Sequence, residues 1–373
     1  MTTQSQGRAK LRRAQVRHDQ GGHAIRPMAP AAPPRTNTDT EAIVSRYLAA
    51  IEQELRDILG YHSPAATEFW QMLYYHMGWE RLEQSHTVPG KRIRPLLTVL
   101  CTAAAGGDWS LALPFAASVE LLHNFTLAHD DIQDASPLRR GRITVWAKWG
   151  TAQAINTGDA LFTYAHLAMQ RTVHLSHTTR LAALALLDRT CVALSIGQHL
   201  DMAFATRPTV SVEAYMEMIE GKTASLLATA AELGALTAGV PEDERAWYRA
   251  FAHHLGLMFQ IRDDILGIWG PPATTGKPVG TDLSQRKKTL PVIYGLEHSP
   301  AFYEAFQTPR AEDDDLSMFT RLLEVSGARR YAEAEEQRHA ALALQHLAKV
   351  QPRDSEASRV LQALTCTLMG RAQ

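Results

Sequence analysis

At 373 residues, 45% hydrophobic and 21% charged, the chain can bury a large core, in one big domain or in two. A formal net charge of −1 excludes the basic footprint of a nucleic-acid-binding protein, so any functional charge has to be concentrated locally. Cys101, Cys191 and Cys366 lie far apart in apolar runs, as neither a disulfide framework nor a metal-type pair, and read as buried reduced thiols of a soluble cytoplasmic protein.

Residues 1–37 carry six Arg and one Lys against one acid, Asp19, and run into the Pro/Ala-rich segment Pro27 to Pro34. That composition predicts a disordered basic tail. From Thr38 onward the pattern turns helical: Ile43, Tyr47, Ile51, Leu55 and Leu59 recur every four residues. Leu111 to Asp134, Leu181 to Met202, Tyr215 to Ala238 and Trp247 to Trp269 are long, apolar and nearly free of helix breakers. Breaks fall at Pro89–Gly90, Gly106–Gly107, Pro137 to Gly141, Gly239 to Pro241 and Gly270 to Gly280. Alternating strand-type runs are absent, and no apolar stretch long enough to span a bilayer is free of charged or strongly polar residues. The expectation is an all-α protein, with a tail over 1–37, a single large bundle of long helices over 38–373 and a surface loop at Thr308 to Asp315.

Two acidic motifs stand out. In His129-Asp130-Asp131-Ile132-Gln133-Asp134, a helix puts Asp130 and Asp134 one turn apart on one face, with Asp131 a quarter-turn round. Stacked carboxylates repel, so the arrangement needs a compensating cation. Mg²⁺ suits it, because it takes carboxylate oxygens, keeps water and shares ligands with phosphates. An exposed acidic helix end is the plainer reading, but the apolar run Leu121 to Ala128 ahead of it points the acids into a cavity. Gln260-Ile261-Arg262-Asp263-Asp264-Ile265-Leu266 repeats the design after the apolar run Phe251 to Phe259. Two such pairs in one helical chain suggest facing helices with metal between them.

Basic residues flank the acids at loop-like positions: Lys91, Arg92 and Arg94 after Gly90, Arg139 and Arg140 before Gly141, Lys222 before Thr223, Lys277, and Arg286, Lys287 and Lys288 before Thr289. Each alone is equally a solvated surface charge. Together they provide the Arg forks and Lys point charges that diphosphate oxygens require.

In this order the motifs Gly90-Lys91-x-x-Arg94-Pro95, His123, Asp130-Asp131-x-x-Asp134, Arg139-Arg140-Gly141, Gly158-Asp159, Lys222-Thr223, Gln260 with Asp263-Asp264, and Gly276-Lys277 to Lys287 resemble the trans-isoprenyl diphosphate synthases. This is the polyprenyl synthetase family, which includes farnesyl and geranylgeranyl diphosphate synthases. The resemblance runs from about Gly90 to Val292 and implies a helical bundle round a deep cavity, usually dimeric. It implies condensation of isopentenyl diphosphate with an allylic diphosphate. Asp130, Asp134 and Asp263, with Asp264 beside it, would hold Mg²⁺, three ions per active site, and Asp131 would support them. Arg139, Lys222, Lys277 and Lys287 would grip the allylic diphosphate. Lys91, Arg94, His123 and Arg140 would hold isopentenyl diphosphate, and Thr223 and Gln260 would line the reacting centre. One departure is Gly267, where the family usually has a third Asp.

Product length follows from the residues one turn before Asp130. Phe125 beside the small Thr126 resembles the geranylgeranyl-forming archaeal type; farnesyl or longer products are the alternatives. A class I terpene cyclase shares only the first acidic motif, and a non-catalytic synthase subunit usually loses acids that this chain keeps.

Overall fold

The computed structural model describes residues 38–60, 63–79, 91–271, 280–308, 316–350 and 353–370. The expected tail, Gly90, Gly276 with Lys277, and the expected loop beyond Thr308 lie outside the described residues.

Helices dominate: α1 (Thr38–Ile58), α2 (Thr67–Met77), α3 (Ile93–Ala104), α4 (Leu113–Gln133), α5 (Val145–Trp149), α6 (Thr151–Gln170), α7 (His177–Thr206) and α8 (Val212–Ile219). They continue through α9 (Ser225–Thr237), α10 (Glu242–Trp269), α11 (Thr281–Ser284), α12 (Leu290–His298), α13 (Pro300–Gln307), α14 (Leu316–Ser326), α15 (Ala328–Leu347) and α16 (Ser355–Met369). The all-α expectation holds. The four-residue spacing of α1 buries Tyr47, Ile51, Leu55 and Leu59. Helix α9 and the first half of α4 are largely apolar and buried, and take the centre. Helix α4 packs along α6, α9 against α3, and α10 along α15. Pro114 opens α4, where its missing N–H costs nothing, and Ser176 caps α7 by accepting from Thr179 N.

Three features depart from expectation. Tyr215 to Ala238 is not one helix: a π-helical turn, Glu220–Ala224, joins α8 to α9. A short antiparallel hairpin, β1 (Leu138–Arg139) with β2 (Arg142–Ile143), follows α4. Its two-residue turn has Arg140 at φ 53° and Gly141 at φ 75°, the mirror-image turn that matches strand twist. Cys101 is buried as expected, but Cys366 is exposed.

Two helical stretches, Trp109–Gln133 and His177–Thr206, are long and apolar enough to cross a membrane by length and composition. The first window is 67% buried inside the bundle, and the second only 28%.

Four histidines join α10 to α15. His254 stacks on His346 at 5.4 Å, and its Nδ1 lies 3.0 Å from His339 Nδ1. Arg338 donates to His339 Nε2, so His339 carries its proton on Nδ1 and donates it to His254. Burial, then neighbouring His253, His339, His346 and Arg338, push His254 down to about 4; burial, then Arg338 and His253, do the same to His339. Glu220 near His253 and Lys349 near His346 complete the charged surroundings. A histidine depressed on folding contributes stability above its unfolded pKa of about 6.5, and loses it as pH falls from there toward 4. Thermal melts should therefore show Tm falling as pH drops below about 6.5, with a shallower fall in His254→Asn. Asp264, raised to about 6, works in the opposite sense, so the difference between wild type and variant isolates the histidines.

Candidate active site

Helix α4 ends in a graded set of acids. Asp130 is half-buried, Asp131 is 3% exposed and Asp134, which closes the last turn by donating its N–H to Asp130 O, is exposed. Asp131 accepts from Arg139 Nε at 2.7 Å, so the hairpin is tied to the helix end that precedes it. Burial raises the Asp130 carboxyl, Lys222 opposes this, and Asp134 and Asp201 push it further up.

Lys222 arrives on the π turn. This turn sits so close to α7 that a Cβ on Gly197 would come 2.8 Å from Lys222 Cα and nearer still to its N. Only glycine permits that approach, and π turns inside helices often mark functional positions. Lys222 Nζ is 2.5 Å from Asp201 Oδ2 and 3.9 Å from Asp130 Oδ2, so one cation stands between carboxylates of two helices. Asp201 was missed by the sequence reading. Its one signal was an acid one turn after Gly197. Burial would raise Asp201, but Lys287 and Lys222 together hold it below the usual carboxylate range. Gln198 on α7 also donates to Gln133 at the end of α4, 2.8 Å away.

On α10 the acid pair divides as it does on α4. Asp263 is exposed, while Asp264 is 3% exposed and accepts from Tyr215 Oη at 2.5 Å, Gln260 Nε2 at 3.0 Å and Leu290 N at 3.1 Å. Thr223 donates to Gln260 Oε1 at 2.8 Å, which fixes that amide's orientation. Asp264 thus braces α8, α10 and α12. Lys287 lies near it: burial would lower its ammonium, but Asp201, Asp264, Asp282 and Asp134 raise it above the usual lysine range. Acids from both motifs act on this one cation.

A separate basic group lies on α3 and α4. Arg92, buried and in the left-handed region, is neutralised by Glu120 at 2.7 Å and Glu52 at 3.3 Å, and reads as structural. Arg94 instead meets His123 Nε2 at 3.2 Å, and its buried Nε has no partner. Arginine only donates, so His123 Nε2 accepts and the ring stays neutral; burial, then Arg94 and Arg140, hold its pKa well below normal. Arg139 and Arg140 enter from the hairpin, and Lys91 is exposed. Positive charge without an equal count of acids is suited to an anion.

Between these groups opens a cavity of about 460 Å³, whose lining includes Arg94, His123, Asp130, Lys222 and Thr223 at its polar part and Phe125, Leu194 and Leu226 at its apolar part. Thr126 also lines it and donates to His123 O. Phe125 is backed by His129 at 4.8 Å and Phe162 at 5.1 Å. A smaller adjoining pocket brings together Asp201, Lys222, Gln260, Asp264 and Lys287. Asp131, Arg139 and Arg140 border a third with His76 and Arg142. Lys277 lies outside the described residues.

The sequence profile described as Polyprenyl synthetase matches residues 80–322. The chain is 42% identical over 288 residues to (2E,6E)-farnesyl diphosphate synthase of Mycobacterium bovis, covering 74% of this chain and 79% of that one. It is 40% identical over 297 residues to geranylgeranyl diphosphate synthase of Mycobacterium tuberculosis, covering 77% and 83%. Among solved structures, polyprenyl synthase from Caulobacter crescentus CB15, complexed with calcium and isoprenyl diphosphate, is similar with a TM-score of 0.75 at 30% identity, over 89% of this chain and 96% of that one.

Proposed function

This chain belongs to the polyprenyl synthetase family and is a prenyltransferase, and on that premise we propose that it condenses isopentenyl diphosphate with an allylic diphosphate in the presence of Mg²⁺, giving geranylgeranyl diphosphate. The observation that carries the reading is the separation of charge. Acids from α4, α7 and α10, from the exposed Asp134 to the buried Asp264, share Lys222 and Lys287, while Arg94 meets His123 in place of a carboxylate.

The acid side fits Mg²⁺. Asp130 is raised by burial and by two neighbouring acids, so it gains from any added cation, and Lys222 already stands beside it as one. Among the described residues no three His, Cys, Asp or Glu side chains gather closely enough to enclose an ion by themselves. Mg²⁺ takes one or two carboxylates and leaves its other positions to water and phosphate oxygens. Asp130, Asp134 and Asp263 would hold the ions, one or two carboxylates to each, with Asp131 and Asp264 anchoring their neighbours. Bound there, Mg²⁺ would supply positive charge to the departing diphosphate.

The remaining steps belong to the chain. Arg139, Lys222 and Lys287, with Lys277, would hold the allylic diphosphate as it leaves. Lys91, Arg94, His123 and Arg140 would hold isopentenyl diphosphate with its double bond toward the allylic carbon. Thr223 and Gln260, locked by their mutual bond and by Asp264, would present oxygens beside the developing carbocation. The apolar cavity wall would exclude water, which would otherwise trap that cation as an alcohol.

Phe125 supports a C20 product, because it narrows the cavity on the helix that carries Asp130 and is itself backed by Phe162. The relatives carry both farnesyl and geranylgeranyl names. A homodimer is supported by α7, apolar along its length yet with Leu181, Val192 and Ile196 exposed, beside the exposed Ile155 and Leu167 of α6.

The test is product analysis: the purified chain with Mg²⁺, isopentenyl diphosphate and each allylic primer in turn, followed by dephosphorylation and chromatography. Geranylgeraniol is the expected alcohol. Farnesol or longer alcohols would overturn the length alone, and no consumption of isopentenyl diphosphate would overturn the reaction.

A further inference from the structure

The basic motif ahead of α3 contains a backbone conformation that needs holding. Arg92 stands at φ 47° and ψ 35°, a left-handed region that a residue with a Cβ keeps only where its surroundings impose it. Its backbone oxygen accepts from Leu96 N at 3.1 Å, so α3 begins directly after it. The turn at Arg92 therefore sets both the direction in which Lys91 leaves the helix and the rotation at which Arg94 enters it.

What imposes the turn is a buried set of contacts from three other helices. Arg92 Nη1 donates to Glu120 Oε1 of α4 at 2.7 Å, Nε to Glu52 Oε2 of α1 at 3.3 Å, and Nη2 to the oxygen of Met77, the last residue of α2, at 3.1 Å. Glu120, 4% exposed, is gripped a second time, because its Oε1 also accepts from Asn124 Nδ2 at 2.9 Å. A buried ion pair adds little net stability, since desolvation offsets most of the attraction. Its register is more telling. Glu120 and His123 are three residues apart and so neighbours on one face of α4. Arg92 docks on the first, and Arg94 Nη1 lies 3.2 Å from Nε2 of the second.

We infer that Arg92 and Glu120 are positioning residues for isopentenyl diphosphate: without touching it, they hold the left-handed turn and the α3–α4 register that present Lys91 and Arg94 to it. The inference rests on the proposed function.

Two variants of the full-length chain separate positioning from support of the fold. Arg92→Gly frees the backbone from its unfavourable conformation and removes the anchor. Arg92→Met with Glu120→Leu replaces the pair by apolar side chains and leaves neither of its charges unpartnered, while Glu52 keeps Trp79 Nε1. The experiment is steady-state kinetics of both variants against isopentenyl diphosphate, the allylic primer and Mg²⁺ in turn, with thermal melts of the same preparations. In each variant KM for isopentenyl diphosphate should rise by about ten- to a hundredfold, the effect of a small misplacement. KM for the allylic primer, the half-saturating Mg²⁺ concentration and kcat at saturating isopentenyl diphosphate should stay at their wild-type values. A wild-type KM for isopentenyl diphosphate in R92M/E120L, or a rise shared equally by both substrates, would overturn the inference and leave the proposed function standing. Failure of both variants to fold would do the same, by making the pair a requirement of the fold alone. If the wild type consumes no isopentenyl diphosphate, the proposed function and this inference fall together.

Discussion

Asp130→Asn should reduce kcat by on the order of a thousandfold or more while leaving Tm unchanged or slightly higher. The two halves of this expectation share one cause. Asp130 is pushed above the normal carboxylate range by burial first, with Lys222 opposing and Asp134 and Asp201 adding repulsion. An acid whose pKa rises on folding destabilises the folded state at neutral pH, because its charged form is more comfortable in the unfolded chain. A neutral isostere removes that cost and removes the charge the chemistry needs, as expected where activity depends on a strained site. Steady-state kinetics and thermal melts of the same preparation check both halves. A Tm lowered by many degrees would mean that Asp130 supports the fold, and the loss of activity would then say little about catalysis.

Phe125→Ala should shift the product toward longer chains. Phe125 lines the same cavity as Asp130, five residues before it on α4, with His129 and Phe162 behind it. Removing the ring opens the wall as far as Phe162, which itself packs on His166 at 4.6 Å. The single substitution should therefore lengthen the product by a limited number of isoprene units, and Phe125→Ala with Phe162→Ala should lengthen it further. The cost in stability should stay below the roughly 3–5 kcal/mol of a fully buried Phe→Ala change, since Phe125 is only partly buried and borders an open cavity. Chromatography of the dephosphorylated products measures the effect. An unchanged distribution would remove Phe125 from chain-length control.

Much of this was legible in the chain itself. The four-residue spacing of Tyr47, Ile51, Leu55 and Leu59 predicted a buried helix face, and those residues are buried. The first acid pair does end a long helix, whereas α10 runs more than a turn past Asp263 and Asp264 to Trp269, and Lys222, Thr223, Arg94, His123 and Phe125 do meet round one cavity. What stayed hidden depends on approach through space. The inequality of Asp263 and Asp264 arises because Tyr215 and Leu290, distant in sequence, close on one of them. The π turn packs against α7 at Gly197, an approach that the spacing of Glu220 to Ala224 does not announce. Asp201 lacked a partner acid beside it, so no spacing marked it.

Binding calorimetry on the purified chain tests the central claim most directly, that one diphosphate is held through metal between acid helices and the other by Lys91, Arg94, His123 and Arg140 without metal. The ligands would be a non-ionising allylic diphosphate analogue and isopentenyl diphosphate, each with and without Mg²⁺. The account predicts that the allylic analogue binds only with Mg²⁺ and loses that binding in Asp130→Asn. Isopentenyl diphosphate should bind with little dependence on the metal and lose affinity in Arg94→Ala. Equal binding of the allylic analogue with and without Mg²⁺ would contradict it.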